Sequence, residues 1–221
     1  IACNQACLDH TFGGKISSCL VNPLACYETE LPITPTDTPK SIAIVGAGPA
    51  GLSTAITAAQ RGHSVTLFDK SDEVGGQLNM AKQIPGKEEF WGLVDWYRTM
   101  VDTLGITTKL GTTATPDMLK GFDEVIIATG VLPRDPAIPG QEGANVMDYI
   151  DVLRHKKPVG KSVAVVGAGG IGFDVSEFLS EEDGHSTTEH LPEWMREWGV
   201  ADPAEHRGGL NPDGPKPGHP A

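Results

Sequence analysis

Ser41-Ile-Ala-Ile-Val-Gly46-Ala-Gly48-Pro-Ala-Gly51-Leu-Ser-Thr-Ala55 is the stretch that decides the fold. An apolar run leads straight into a G-x-G-x-x-G spacing, and small and apolar residues follow at helical intervals. The expected reading is a strand, a glycine turn and a helix. The three glycines do different things. Gly46 makes the tight bend, Gly48 lets the backbone approach a diphosphate, and Gly51 lets helix pack on strand. The amides that open the helix then face an anion at the positive end of its dipole. Glycine-rich turns are common, so one such match is weak. Here it is repeated: Ser162-Val-Ala-Val-Val-Gly167-Ala-Gly169-Gly-Ile-Gly172-Phe-Asp174 has the same layout. Two such turns on one chain suggest two dinucleotides, one held and one exchanged.

Working outward, residues 41–45 read as a buried strand, 49–61 as a helix ending at Gly62, and 64–69 as a second strand. That is a βαβ unit of about 30 residues, the context the fingerprint requires. Asp69 closes the second strand at about the 20-residue spacing of a carboxylate that takes a ribose hydroxyl. An acid there repels a 2′-phosphate, so the first turn should prefer FAD or NAD over NADP. Glu73-Val-Gly75-Gly76-Gln77 is a glycine turn near enough in sequence to reach the same ligand, and Thr129-Gly130 is a third point of close approach.

Apolar residues at 90, 91, 93, 94, 97, 100, 101 and 104 have helical spacing, which predicts a helix with Phe90, Trp91 and Tyr97 in the core. Strands are expected at 106–110 and 123–128, a helix at 147–155, and the second strand–helix unit at 162–180. Beyond Ser180 the chain is rich in glycine and proline, with one helical pattern from Leu191 to Trp198. No strand with a ribose reader follows the second turn. The expected fold is therefore α/β: a Rossmann-like FAD/NAD(P)-binding domain with a parallel sheet at 39–158, plus an incomplete second nucleotide-binding domain with an irregular tail at 159–221. A cysteine-rich segment and a Pro/Thr linker make up 1–38.

With 17 Lys+Arg against 29 Asp+Glu, the chain carries a formal charge of −12. That argues against nucleic acid or an anionic membrane as partner. No apolar run approaches the roughly 20 residues of a membrane helix, and no basic leader precedes an apolar core. The cytoplasm is the expected location. The chain opens on Ile rather than Met and reads like the middle of a longer protein.

All four cysteines, Cys3, Cys7, Cys19 and Cys26, lie in the first 30 residues. Paired CxxC units of the zinc type are absent, and a disulfide framework does not suit a redox-type α/β chain without a secretory signal. Spacing alone leaves iron–sulfur ligation and inert buried thiols both open.

Taken as a block, Ala2-Cys3-Asn-Gln5-Ala-Cys7, Ser18-Cys19-Leu-Val-Asn-Pro23 and Ala25-Cys26-Tyr-Glu28 resemble the bacterial NADPH-dependent 2,4-dienoyl-CoA reductases. These belong to the iron–sulfur flavoprotein branch of the old yellow enzymes, with trimethylamine dehydrogenase. The likeness runs on through Val65-Thr-Leu-Phe-Asp69, Gly75-Gly-Gln77, Gln83-Ile-Pro-Gly-Lys-Glu-Glu-Phe90, Glu197-Trp-Gly199 and Gly208-Gly-Leu210. The resemblance implies that Cys3, Cys7 and Cys19 are three of four [4Fe-4S] ligands in a C-x2-C-x3-C-x11-C run, the first preceding Ile1, while Cys26 is not a ligand. It implies FAD at Gly46, Gly48, Ala50 and Gly51, with Asp69, Gln77, Lys87 and Ala114 also in contact, and NADPH at Gly167, Gly169 and Gly172.

In such proteins electrons are implied to pass from NADPH through FAD and the cluster to FMN in an N-terminal barrel, which reduces a 2,4-dienoyl-CoA in fatty-acid β-oxidation. No catalytic residue for that last step is named in this chain. Two other readings stand beside it: a non-catalytic FAD-binding remnant, or part of a related amine dehydrogenase or enoate reductase.

Overall fold

A computed structural model describes residues 3, 5–181 and 186–211. It divides into two compact units, one of residues 1–81 with 89–139, the other of 82–88 with 140–221. The last stretch of the expected tail, 212–221, lies outside the described residues, as do 182–185.

The first unit is built on a four-stranded, all-parallel sheet in the order β3-β2-β1-β4. Its strands are β1 (Ser41–Val45), β2 (Ser64–Phe68), β3 (Thr107–Lys109) and β4 (Glu124–Ile127). Helix α1 (Leu8–Phe12) precedes them; α2 (Pro49–Gln60) links β1 to β2, and α3 (Leu78–Ala81) and α4 (Glu89–Thr103) link β2 to β3. Helix α5 (Pro116–Leu119) leads into β4. The Ile-Ala-Ile of β1 is buried without alternation, as expected of a parallel strand covered on both faces. Ile42, Ile44, Val65 and Leu67 from the sheet pack with Leu52, Ala55 and Ile56 of α2 and with Tyr97 and Val101 of α4. Fully burying a side chain of this size contributes about 1.5–3 kcal/mol, so this layer fixes the sheet against α2. At the end of α2, Gly62 turns left-handed (φ +92°) and the His63 N–H donates to the Ala58 carbonyl, ending the helix just before β2.

Polar bonds fix the starts of the strands. The Ser41 N–H and hydroxyl both donate to Asp123 at 2.7 Å, Lys40 pairs with Glu124 at 2.7 Å, and the Lys40 N–H donates to Nδ1 of His63. These Ser41 bonds hold the Asp123 carboxyl below its ordinary range, and Glu124 raises the Lys40 ammonium above its own.

Two expectations fail in instructive ways. Tyr97 is core at 4% exposure, but Trp91 is 44% exposed and Phe90 only half-buried. Helix α4 turns one stripe, Val94, Tyr97 and Val101, to the interior; Phe90 sits in its first turn and Trp91 well round the helix. The expected strand at 162–166 forms no ladder among the described residues. A strand exists only through its partners, and without one Val163, Val165 and Val166 stay 48%, 40% and 82% exposed.

The second unit contains α6 (Tyr149–Leu153), α7 (Gly170–Ser180) and α8 (Leu191–Glu197). Asp148 caps α6, its side chain accepting the Asp151 N–H at 2.8 Å. Val152 and Leu153 of α6 and Val175 of α7 are buried. No helix among the described residues is long and apolar enough to cross a membrane.

Candidate dinucleotide-binding sites

The first site lies at the carboxyl end of β1. Gly46 bends the chain at φ +116°, and its N–H donates to the Phe68 carbonyl at 2.8 Å. A Cβ on Gly46 would collide with the carbonyl of Ala128, and one on Gly51 with the carbonyl of Gly46. The first glycine is therefore forced by the chain leaving β4 behind it, the third by the closeness of α2 to the turn. Gly48 is extended at φ −80°, ψ −178° and caps α2, with Pro49 at the first helical position. No side chain caps α2, and its first turn holds no acid. Gly48 is half-buried and Ala50 exposed, so the opening of the helix faces outward. The result is an amide-rich concavity at a positive helix end, suited to a diphosphate.

Three segments wall this turn. Asp69, half-buried at the end of β2, accepts the Ala47 N–H at 2.6 Å through one carboxylate oxygen and the Ser71 N–H at 2.7 Å through the other. Asp69 thus reaches the glycine turn itself, and a carboxylate has about four acceptor positions, so about two remain for a ligand hydroxyl. The second wall is the Gly75–Gly76 turn. The Gly75 N–H donates to the Ala47 carbonyl at 2.8 Å, and a Cβ on Gly76 would come within 2.9 Å of the Gly48 Cα. Gln77 stands exposed at its end. The third wall follows β3, where the Thr112 N–H donates to the Asp69 carbonyl at 2.8 Å, with half-buried Ala114 two residues on. Thr129, after β4, lies behind Gly46: a Cβ on that glycine would stand 3.0 Å from the Thr129 nitrogen.

Asn79 joins the site without any signal in the sequence. Its buried amide donates to the Val74 carbonyl at 2.9 Å and lies under Gly75, leaving no space there for a side chain. A buried amide a few residues beyond a turn follows no local pattern.

In the second unit the other glycine turn repeats the same torsions. Gly167 has φ +120°, Gly169 caps α7 at φ −90°, ψ 178° with no side-chain cap, and a Cβ on Gly172 would strike the Gly167 carbonyl. The helix and turn form although the preceding apolar run has no ladder. Lys87 belongs to this unit, and its ammonium lies 2.7 Å from both oxygens of Asp174 on α7. From sequence, Asp174 is no more than the end of the fingerprint; the structure gives it a partner.

The cysteines do not assemble. Cys3, Cys7 and Cys26 are exposed free thiols and Cys19 is half-buried. Among the described residues no three His, Cys, Asp or Glu side chains are grouped to hold a metal. As arranged here, the thiols do not fit an iron–sulfur cluster.

The parallel sheet with two glycine-opened helices defines the class, an α/β protein of the FAD/NAD(P)-binding kind. Its family follows from the sequence profile of the pyridine nucleotide-disulphide oxidoreductases, which matches residues 40–202. The chain belongs to that family. It is 42% identical over 187 residues to a metal reductase of Desulforamulus reducens, covering 82% of this chain and 28% of the relative. To a cinnamate reductase of Clostridium sporogenes it is 34% identical over 189 residues, covering 82% and 27%. Among solved structures, a complex of 2-naphthoyl-CoA reductase with 2-naphthoyl-CoA gives a TM-score of 0.76 at 36% identity, over 80% of this chain and 28% of that one. The chain spans under a third of the length of these relatives.

Proposed function

We propose that this chain is the FAD-binding, electron-transferring portion of a reductase of the dienoyl-CoA or enoate type. The observation that carries the reading is the uncapped start of α2 behind Gly46–Gly51, walled by Asp69, by Gly75–Gly76 and by the loop after β3. In this reading Gly46, Gly48, Ala50 and Gly51 receive the diphosphate of FAD, Asp69 a ribose hydroxyl, and Gln77 and the backbone at Ala114 the remainder of the nucleotide. Each oxygen of Asp69 already accepts one backbone N–H, so this carboxylate both shapes the turn and reads the sugar. Bound flavin supplies the ability to accept a hydride and release electrons one or two at a time.

The second turn, Gly167, Gly169 and Gly172, takes the diphosphate of a nicotinamide dinucleotide, the electron donor. The likeness to reductases of cinnamate and of an aryl-CoA supports a conjugated acyl compound as final acceptor in the whole protein. Within that class the cysteine block and Gln83–Phe90 favour a 2,4-dienoyl-CoA. The chain's own residues bind and orient two cofactors; the acid–base step on the acyl substrate has no candidate among them.

The test is reconstitution. The purified chain incubated with FAD and desalted should retain yellow flavin in near-equimolar amount, and a Gly46→Val variant should not. Folded protein that retains no FAD would overturn the reading and favour a non-catalytic remnant.

A further inference from the structure

Residues 82–88, between α3 and α4 in sequence, belong to the second unit, and side chains join them to the rest of it. Gln83 accepts from the Lys156 ammonium at 2.8 Å, Glu88 accepts from the Thr188 hydroxyl at 2.9 Å, and Lys87 makes its two-pronged contact with Asp174. Lys87 and Asp174 are 39% and 30% exposed, so water screens the pair only in part. Asp174 lies two residues beyond Gly172 and five beyond the cap of α7, about 7–8 Å along the helix from the turn. A carboxylate there sets its negative charge near a place built for a diphosphate and repels an anion held at that turn. The first turn has no such burden, for α2 carries no acid at the matching position: Ser53 stands where α7 has Asp174.

We infer that Lys87 is a positioning residue for the second site: by neutralising Asp174 it lets the Gly167–Gly172 turn accept a dinucleotide diphosphate. The inference rests on the reading of that turn as the nicotinamide site. The family resemblance implies a flavin contact for Lys87; in the structure its ammonium contacts Asp174 on α7. The point is one of sign. An unpaired Asp174 repels the ligand, while an unpaired Lys87 attracts it.

Three variants of the full chain separate this from a purely structural role, with NADH and NADPH binding followed by nicotinamide fluorescence. Lys87→Met should weaken binding about five- to tenfold at low salt, a size set by unit charges at this range with intermediate screening. Asp174→Asn should tighten it, and the double variant should return close to the parent. The spread should shrink in about 0.5 M salt, where charge effects are screened. If both single variants weaken binding, or if Lys87→Met leaves it unchanged, the pair is structural and the inference falls. A parent chain, folded by circular dichroism, that binds neither nucleotide overturns the reading of the turn itself, and the inference with it.

Discussion

The carboxylate of Asp69 accepts the backbone N–H of Ala47 at 2.6 Å, so the residue that closes β2 holds the bend that follows β1. The same side chain takes the Ser71 N–H with its other oxygen. The geometry of the glycine turn therefore depends on a residue of the neighbouring strand, and both oxygens must stay in place for the turn to keep its form.

Replacing Asp69 with Asn leaves the shape but only one accepting oxygen, so one of the two N–H groups loses its partner. A partly buried donor left unmet costs about 1–3 kcal/mol. The urea midpoint should fall accordingly, and FAD retention after desalting should drop more steeply than stability. Equal retention with a lowered midpoint would limit Asp69 to holding the turn.

Gly46 and Gly62 both have positive φ, yet they should differ sharply on substitution by Ala. At Gly62 a Cβ meets nothing within 4 Å, so only backbone strain is added, about 1 kcal/mol. At Gly46 the same Cβ runs into the Ala128 carbonyl, and overpacking adds about 1–3 kcal/mol more. Chemical denaturation of the two variants, measured side by side, checks the contrast.

Tyr97→Ala should cost about 3–5 kcal/mol, the range for deleting a buried aromatic. Trp91→Ala, on a side chain 44% exposed on the same helix, should cost less than Tyr97→Ala. Comparable losses at both positions would mean that α4 sits differently against the sheet.

Stability should fall in acid partly through Asp123. Its carboxyl is held low by the Ser41 N–H and hydroxyl, so its folded pKa lies below the unfolded value near 3.9. Such a group contributes stability above the unfolded pKa and loses it as pH falls through the folded one. Lys40 behaves in the opposite sense: its ammonium is raised by Glu124, so its contribution is lost as pH climbs through the folded value. Urea midpoints between about pH 2.5 and 6 should converge for the parent and Asp123→Asn as the pH drops.

The βαβ unit is legible from Ser41 to Asp69 because every local signal agrees: an apolar run, glycines at fixed offsets, Pro49 at a helix start and Gly62 at its end. The outer strands end a residue or two inside their expected limits. Sequence fails where structure depends on distant partners. Val163–Val166 has the composition of β1, but composition supplies no neighbouring strand. Trp91 fits a helical period, but period does not say which stripe meets the sheet. The contacts of Lys87 with Asp174 and of Asn79 with Val74 join residues 87 and five positions apart by hydrogen bonds that no local pattern encodes.

The two glycine turns share their torsions almost degree for degree, at +116° and +120° for the leading glycine. On the proposed reading both grip a diphosphate and are interchangeable parts. That reading delegates discrimination between one nucleotide and another to their surroundings: an acid on the adjoining strand in one case, a neutralised acid on the helix in the other. Exchanging residues 46–51 with 167–172 should leave each half's ligand preference where it was.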